Sequence, residues 1–125
     1  MESAPRKGTV LIVDDDDLLR EAFVSILEFD GWRTMEARNG KEALNIMRQS
    51  PLDVMILDQR MPEMTGKEVY QYMLQHKLNI PVILITAAAD IVELVLELGI
   101  TYYLPKPVGM KALLDTVQRA SEGGC

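Results

Sequence analysis

Cysteine is almost absent from this chain: the only one is Cys125, the last of 125 residues. That excludes an intrachain disulfide framework and a thiolate metal cluster. Long apolar runs are also missing. None approaches the roughly 18 residues needed to cross a bilayer, and the N-terminus, Met1-Glu2-Ser3-Ala4-Pro5-Arg6-Lys7, has no signal-peptide core, so no membrane association and a cytoplasmic location are expected. Basic charge is in deficit. Thirteen Lys and Arg stand against nineteen Asp and Glu, a net charge of −6, with no basic stripe to neutralise phosphates, so direct nucleic-acid binding is not expected. There is no internal repeat and no low-complexity tract. What remains has the composition of a folded soluble domain, 48% apolar and 26% charged, and a length that suits one core. A chain this long buries about two-thirds of its unfolded surface and needs no metal or disulfide to fold.

Three runs are continuously apolar: Thr9–Val13, Asp53–Leu57 after its first residue, and Pro81–Ile85. Unbroken Val, Ile and Leu mark strands covered on both faces, the habit of parallel sheets. Trp32–Ala37 and Ile100–Leu104 read as two further strands. Between them the apolar residues fall at helical spacing, as in Leu19, Ala22, Phe23, Ile26 and Leu27, then Ala43, Leu44 and Met47, then Val69, Tyr70, Met73 and Leu74. Helices are also expected from about 90 to 98 and from about 109 to 120. Turn residues fall between these elements: Asp30-Gly31, Asn39-Gly40, Gly66 and Gly99. Five strands alternating with five helices make a doubly wound α/β fold, with helices on both faces of a parallel sheet.

In open α/β sheets, ligands bind beyond the carboxyl ends of the strands. Here the first strand runs into Asp14-Asp15-Asp16-Asp17, the third into Asp58, the fourth into Thr86-Ala87, and the fifth ends near Lys106. Asp16 or Asp17 is expected to cap the following helix. Carboxylates from two strand ends converging on one crevice repel each other, so a positive charge must lie between them. Oxygen ligands without a nearby histidine or thiolate favour magnesium or manganese over zinc or copper. Lys106 and Thr86 add a cation and a hydroxyl donor beside it, the equipment for holding a phosphoryl group.

These residues carry a resemblance. Val10-Leu11-Ile12-Val13-Asp14-Asp15, Leu57-Asp58-Gln59-Arg60-Met61-Pro62-Glu63-Met64-Thr65-Gly66, Ile85-Thr86-Ala87 and Tyr103-Leu104-Pro105-Lys106-Pro107 resemble, in order, spacing and strand-end position, the receiver domain of two-component response regulators. The resemblance covers roughly residues 8 to 121. It implies a flavodoxin-like sheet of order 2-1-3-4-5, with a flexible segment at 1–8, the receiver domain at 9–121 and a flexible tail at 122–125. It also implies a phosphorylation-activated switch in a phosphorelay, taking a phosphoryl group from the phosphohistidine of a sensor histidine kinase or phosphotransfer protein. By resemblance Asp58 is the phospho-acceptor, Asp15 and Asp58 ligate Mg²⁺ directly, Asp14 does so largely through water, and the Arg60 backbone carbonyl is a further ligand. Thr86 and Tyr103 match the switch pair, Lys106 matches the conserved-type lysine, and the Lys106-Pro107 bond is expected to be cis. Such a domain is not an enzyme in the ordinary sense, since it catalyses only its own phosphorylation and slow dephosphorylation.

One departure is visible: the stretch from Thr86 to Lys106 is shorter than usual in the family, which puts the change in the fourth helix or the loop before it. In that helix only Glu93 and Glu97 are polar between Ile91 and Leu98, so some of Val92, Val95, Leu96 and the neighbouring Tyr102 are expected at the surface. The fourth helix and fifth strand are therefore expected to dock an effector protein or a second receiver. Two other readings are weighed beside this one. The chain is the receiver piece of a longer regulator with an effector domain, or it is an aspartate-nucleophile phosphatase of the haloacid-dehalogenase type using Asp14-x-Asp16. The second needs an acidic pair after the lysine, and only Asp115 and Glu122 follow. His76 reads as a solvated residue near a helix end, Met47, Met55 and Met73 as core, and Trp32 as packing.

Overall fold

The computed structural model describes residues 7–123. Its elements run β1 (Thr9–Val13), α1 (Asp17–Phe29), β2 (Arg33–Ala37), α2 (Gly40–Gln49), β3 (Val54–Asp58), α3 (Gly66–Gln75), β4 (Val82–Ala87), α4 (Ala88–Leu98), β5 (Tyr102–Lys106) and α5 (Met110–Gly123). All strand pairs are parallel, in the order β2-β1-β3-β4-β5. This is the doubly wound sheet read from the alternation of apolar runs.

The unbroken runs are unbroken because each face meets a different helical layer. Val10 and Ile12 pack with Val54, Ile56, Ile83 and Ile85 against Phe23 and Leu27 of α1 and Leu113 and Val117 of α5. The alternate residues Leu11, Val13, Met55 and Leu57 pack against Ala43, Leu44 and Met47 of α2 and Val69 and Met73 of α3. Met47, Met55 and Met73 are thus core, and Trp32 is buried at the foot of the first layer. A third, smaller cluster of Leu84, Leu94 and Ile100 holds α4.

The helix starts follow the turn residues. Asp16 caps α1 by accepting from the Leu18 and Leu19 amides, and Asn39 caps α2 through the Glu42 amide. Thr65 and Glu68 form a reciprocal capping box on α3. Gly99, in the left-handed region at φ 69°, ends α4. The shortening after Thr86 removes the loop: β4 ends at Ala87 and α4 begins at Ala88, two residues before the start read from the sequence.

Residues 1–6 and 124–125 lie outside those described, Cys125 among them. Within the described residues, the Lys7 amide donates to the Gly31 carbonyl, in the turn before β2, at 3.0 Å, and the Gly8 carbonyl accepts from the amide of Arg33, the first residue of β2, at 2.8 Å. Glu122 and Gly123 continue α5.

Gly66 shows how tightly the end of β3 is wrapped. A Cβ built there would lie 2.6 Å from the Asp58 carbonyl oxygen and 3.0 Å from the Gln59 Cα, both backbone atoms that cannot step aside. Gly66→Ala is expected to destabilise the protein by about 1–3 kcal/mol, the usual range for overpacking, and to displace the segment after Asp58. A urea melt compared with that of Gly109→Ala, where nothing lies within 4 Å of the added Cβ, checks this.

Candidate functional site

The four consecutive aspartates do four different things. Asp14 is buried, and its Oδ1 accepts the Asp16 amide at 2.9 Å. Asp15 is exposed at the crevice, Asp16 caps α1, and Asp17 opens the helix. Arg20, which no local sequence pattern marks out, braces them. Its guanidinium donates to the Asp14 carbonyl at 2.7 Å, to Asp17 Oδ1 at 2.6 Å and to Glu36 Oε1 at 2.9 Å. In the sequence, Asp17 and Arg20 look like an ordinary surface pair on one helix face. Only the pairing of β2 beside β1 supplies Glu36 and makes the arginine a buried strut.

Val13 and Leu57 are register partners on β1 and β3, so the next residues, Asp14 and Asp58, leave neighbouring strands side by side. One carboxylate oxygen each from Asp14, Asp15 and Asp58 falls within 4.8 Å of the others. Lys106, from the end of β5, brings its Nζ to 2.9 Å from Asp58 Oδ1. That contact is an ion pair off the hydrogen-bonding direction, because the buried Oδ1 has no aligned hydrogen bond. Thr86 follows Ile85, the register partner of Asp58, and its buried hydroxyl has no partner. Tyr103 stands apart from this group, 46% exposed on β5. Arg60 is adjacent in sequence, but its guanidinium turns away to Asp90 at 3.2 Å. The Lys106-Pro107 bond is cis, as the resemblance implies.

The electrostatics are those of an under-neutralised anion site. Burial pushes Asp14 up to about 6; the Asp16 amide pulls the other way, and the Asp58 and Asp15 carboxylates add to the rise. Asp58 is also raised, chiefly by burial, with Lys106 offsetting only part of that cost. Burial alone would lower Lys106, but its contact with Asp58 outweighs this and holds it above the ordinary lysine value. One ammonium does not balance three carboxylates. An all-oxygen donor set that close together, carrying more negative charge than Lys106 offsets, fits a hard divalent cation such as Mg²⁺.

The dehalogenase-type alternative is not assembled. Asp115 pairs with Lys111 on the exposed side of α5, and Glu122 accepts from Gln118 one helical turn away.

Comparison with known proteins settles the family. A model of the response regulator receiver domain matches residues 10–118. The chain belongs to that family. Its place is therefore in two-component signal transduction, as a receiver domain. It is 38% identical over 113 residues to the regulatory protein AtoC of Escherichia coli, covering 89% of this chain and 24% of that protein. It is 35% identical over 107 residues to the response regulator MprA of Mycolicibacterium vanbaalenii, covering 84% of this chain and 46% of the relative. This chain thus spans less than half the length of those proteins. By contrast, it covers 93% of the polar-differentiation response regulator DivK of Brucella anthropi at 32% identity, with 88% of this chain matched. Among solved structures, the Francisella response regulator 1452 receiver domain superposes with a TM-score of 0.87 at 28% identity, covering 95% of this chain and all of that one. A response regulator from Chloroflexus aurantiacus gives 0.86 at 31%, covering 95% and 99%. No helix among the described residues is long and apolar enough to cross a membrane.

The raised Asp14 sets a pH dependence. Its folded pKa of about 6 exceeds the unfolded 3.8, so the folded receiver holds a proton that the unfolded chain has released. Between these values, stability is expected to fall as pH rises, by about 3 kcal/mol in all from this group. Above pH 6 the cost is fully present, and there Mg²⁺ should recover it, because proton and cation compete for the same carboxylates. Thermal melts at pH 5 and pH 7.5, with and without Mg²⁺, check this: a Mg²⁺ stabilisation larger at pH 7.5 is expected.

Proposed function

We propose that this receiver accepts a phosphoryl group from the phosphohistidine of a sensor kinase or phosphotransfer protein onto Asp58. A carboxylate oxygen of Asp58 forms the new bond to phosphorus as the bond from phosphorus to the imidazole nitrogen breaks. The leaving nitrogen keeps that electron pair and takes a proton from solvent. Asp14, Asp15, Asp58 and the Arg60 backbone carbonyl would hold Mg²⁺. When bound, the ion offsets the repulsion between the carboxylates and the incoming phosphoryl oxygens. Lys106 exchanges its ion pair with Asp58 for a phosphoryl oxygen, and so stays paired throughout. The observation that carries this reading is the convergence at one end of adjacent strands of the buried Asp58 carboxylate, ion-paired with Lys106, and the buried Thr86 hydroxyl, which has no hydrogen-bond partner.

Thr86 then supplies the signal. A hydroxyl that bonds the phosphoryl group in one state and nothing in the other has the differential interaction that a switch requires. Its movement leaves room for Tyr103 to turn inward from its exposed position. The receiver unit spans residues 9–121, and its output is through α4 and β5 to an effector protein or a second receiver. Val92 and Leu96 support that surface, being 65% and 78% exposed on α4, while Val95 and Tyr102 are partly buried.

Asp58→Asn is expected to abolish labelling by acetyl phosphate with Mg²⁺, read as an 80 Da mass gain on the wild type. Wild-type-like labelling of that variant, or a label mapped to Asp14, defeats the assignment. Thr86→Ala should still be labelled but lose about tenfold or more of the phosphorylation-dependent partner affinity, the worth of one hydrogen bond to a charged group. Titration calorimetry on the labelled proteins provides the comparison.

A further inference from the structure

The fourth helix is held differently from its predecessors. α1, α2 and α3 begin with capping side chains, whereas α4 follows Ala87 without one. It buries only Ile91 and Leu94, and of these Leu94 alone joins the cluster of three buried residues beneath it, where the two main layers have twelve each. Sideways it is held by charge. Arg60, in the segment after Asp58, pairs with Asp90 at 3.2 Å, and Lys67 at the start of α3 pairs with Glu97 at 2.5 Å. Asp90 and Glu97 are seven residues apart and share a face of α4. Below the first tether lies a cavity of about 590 Å³, lined by Arg60, Met61, Asp90 and Leu94 and reaching Asp15 of the acidic cluster.

We propose that Arg60 is an electrostatic tether with two mutually exclusive partners: Asp90 before phosphorylation and the phosphoryl group on Asp58 after it, so that phosphorylation unties the first half of α4. The inference rests on Asp58 being the acceptor. Arg60 lies two residues past Asp58, and its side chain lines the same cavity as Asp15, so the route between partners runs through open space. The exchange is driven by charge and shape. A phosphoryl group carries nearly two negative charges and offers oxygens spaced for a guanidinium fork, against one charge on Asp90. The Arg60 and Asp90 side chains are 77% and 44% exposed, so the pair is weak enough to be given up. The second tether stays. The Lys67 backbone amide is fixed by Gln59 Oε1 at 2.7 Å, which leaves the C-terminal half of α4 as the pivot. This route to α4 is separate from Thr86 and Tyr103.

Hydrogen exchange of the Val92 to Leu96 amides in the full chain, before and after acetyl phosphate with Mg²⁺, tests it, with the mass of the same sample reporting phosphorylation. In the wild type, exchange at these amides should rise about three- to fivefold on phosphorylation, the scale of one exposed ion pair. Arg60→Gln should show that rise without phosphate and no further rise with it. Asp90→Asn also removes a favourable charge from the helix N-terminus, so the double variant decides. If the pair is the tether, the two substitutions together loosen α4 by less than the sum of each alone. Lys67→Met should loosen the C-terminal turn equally in both states. Full mass gain with unchanged exchange in the wild type, or wild-type exchange in unphosphorylated Arg60→Gln, overturns the tether alone. Absence of the mass gain overturns the acceptor reading, and the tether with it.

Discussion

Three carboxylates are forced together at the carboxyl edge of the sheet, and much of the rest answers to that. β1 and β3 are adjacent parallel strands in register through Val13 and Leu57. Hydrogen-bonded strands lie about 4.8 Å apart, so Asp14 and Asp58 cannot separate without breaking the ladder. The cost is visible in Asp14, held to a pKa of about 6. At neutral pH that amounts to about 3 kcal/mol, comparable to burying one or two large apolar side chains. The core can bear it: each central strand is buried on both faces and contributes several such side chains. A site this unfavourable without a cation is also one that discriminates strongly between empty and filled, which is what a switch needs.

The support around the cluster is rigid where the site must be accurate. Arg20 fixes the Asp14 backbone from α1 while tying in β2. Gly66 allows the start of α3 to sit against the Asp58 carbonyl, and Gln59 binds that start with both its backbone carbonyl and its side chain. Lys106 reaches across from β5 between two prolines that restrict its backbone. Such bracing keeps the carboxylates from relaxing apart.

Among the described residues, α4 is held less firmly than α1, α2 and α3. The shortened crossover joins β4 to α4 with no intervening loop, and the helix it starts is uncapped, lightly buried and tethered by surface charge. Its exposed Val92 and Leu96 lie on this loosely held element, so an output surface there is coupled to whatever moves α4. Weak contacts are the ones that a change of a few kcal/mol at Asp58 can rearrange.

The local code of this protein is strongly patterned, and its sequence by itself determined the parallel α/β architecture, an aspartate cap at Asp16 or Asp17, the turns at Asn39-Gly40, Gly66 and Gly99, and the placing of Asp14, Asp58, Thr86 and Lys106 at strand ends. Those features depend on apolar period, turn chemistry and chain order, all local in sequence. Arg20, the Arg60–Asp90 pair and the close fit at Gly66 were decided only by tertiary structure. Each depends on residues far apart in the chain: Glu36 lies beside Arg20 because β2 pairs with β1, and Asp90, in the first turn of α4, lies beside Arg60 across the carboxyl edge of the sheet. The same holds for the burial that separates Asp14 from Asp15, identical residues one position apart with opposite exposure. A pattern of side-chain types carries no distances across the sheet, and it is those distances that turn four aspartates and a lysine into a charged site.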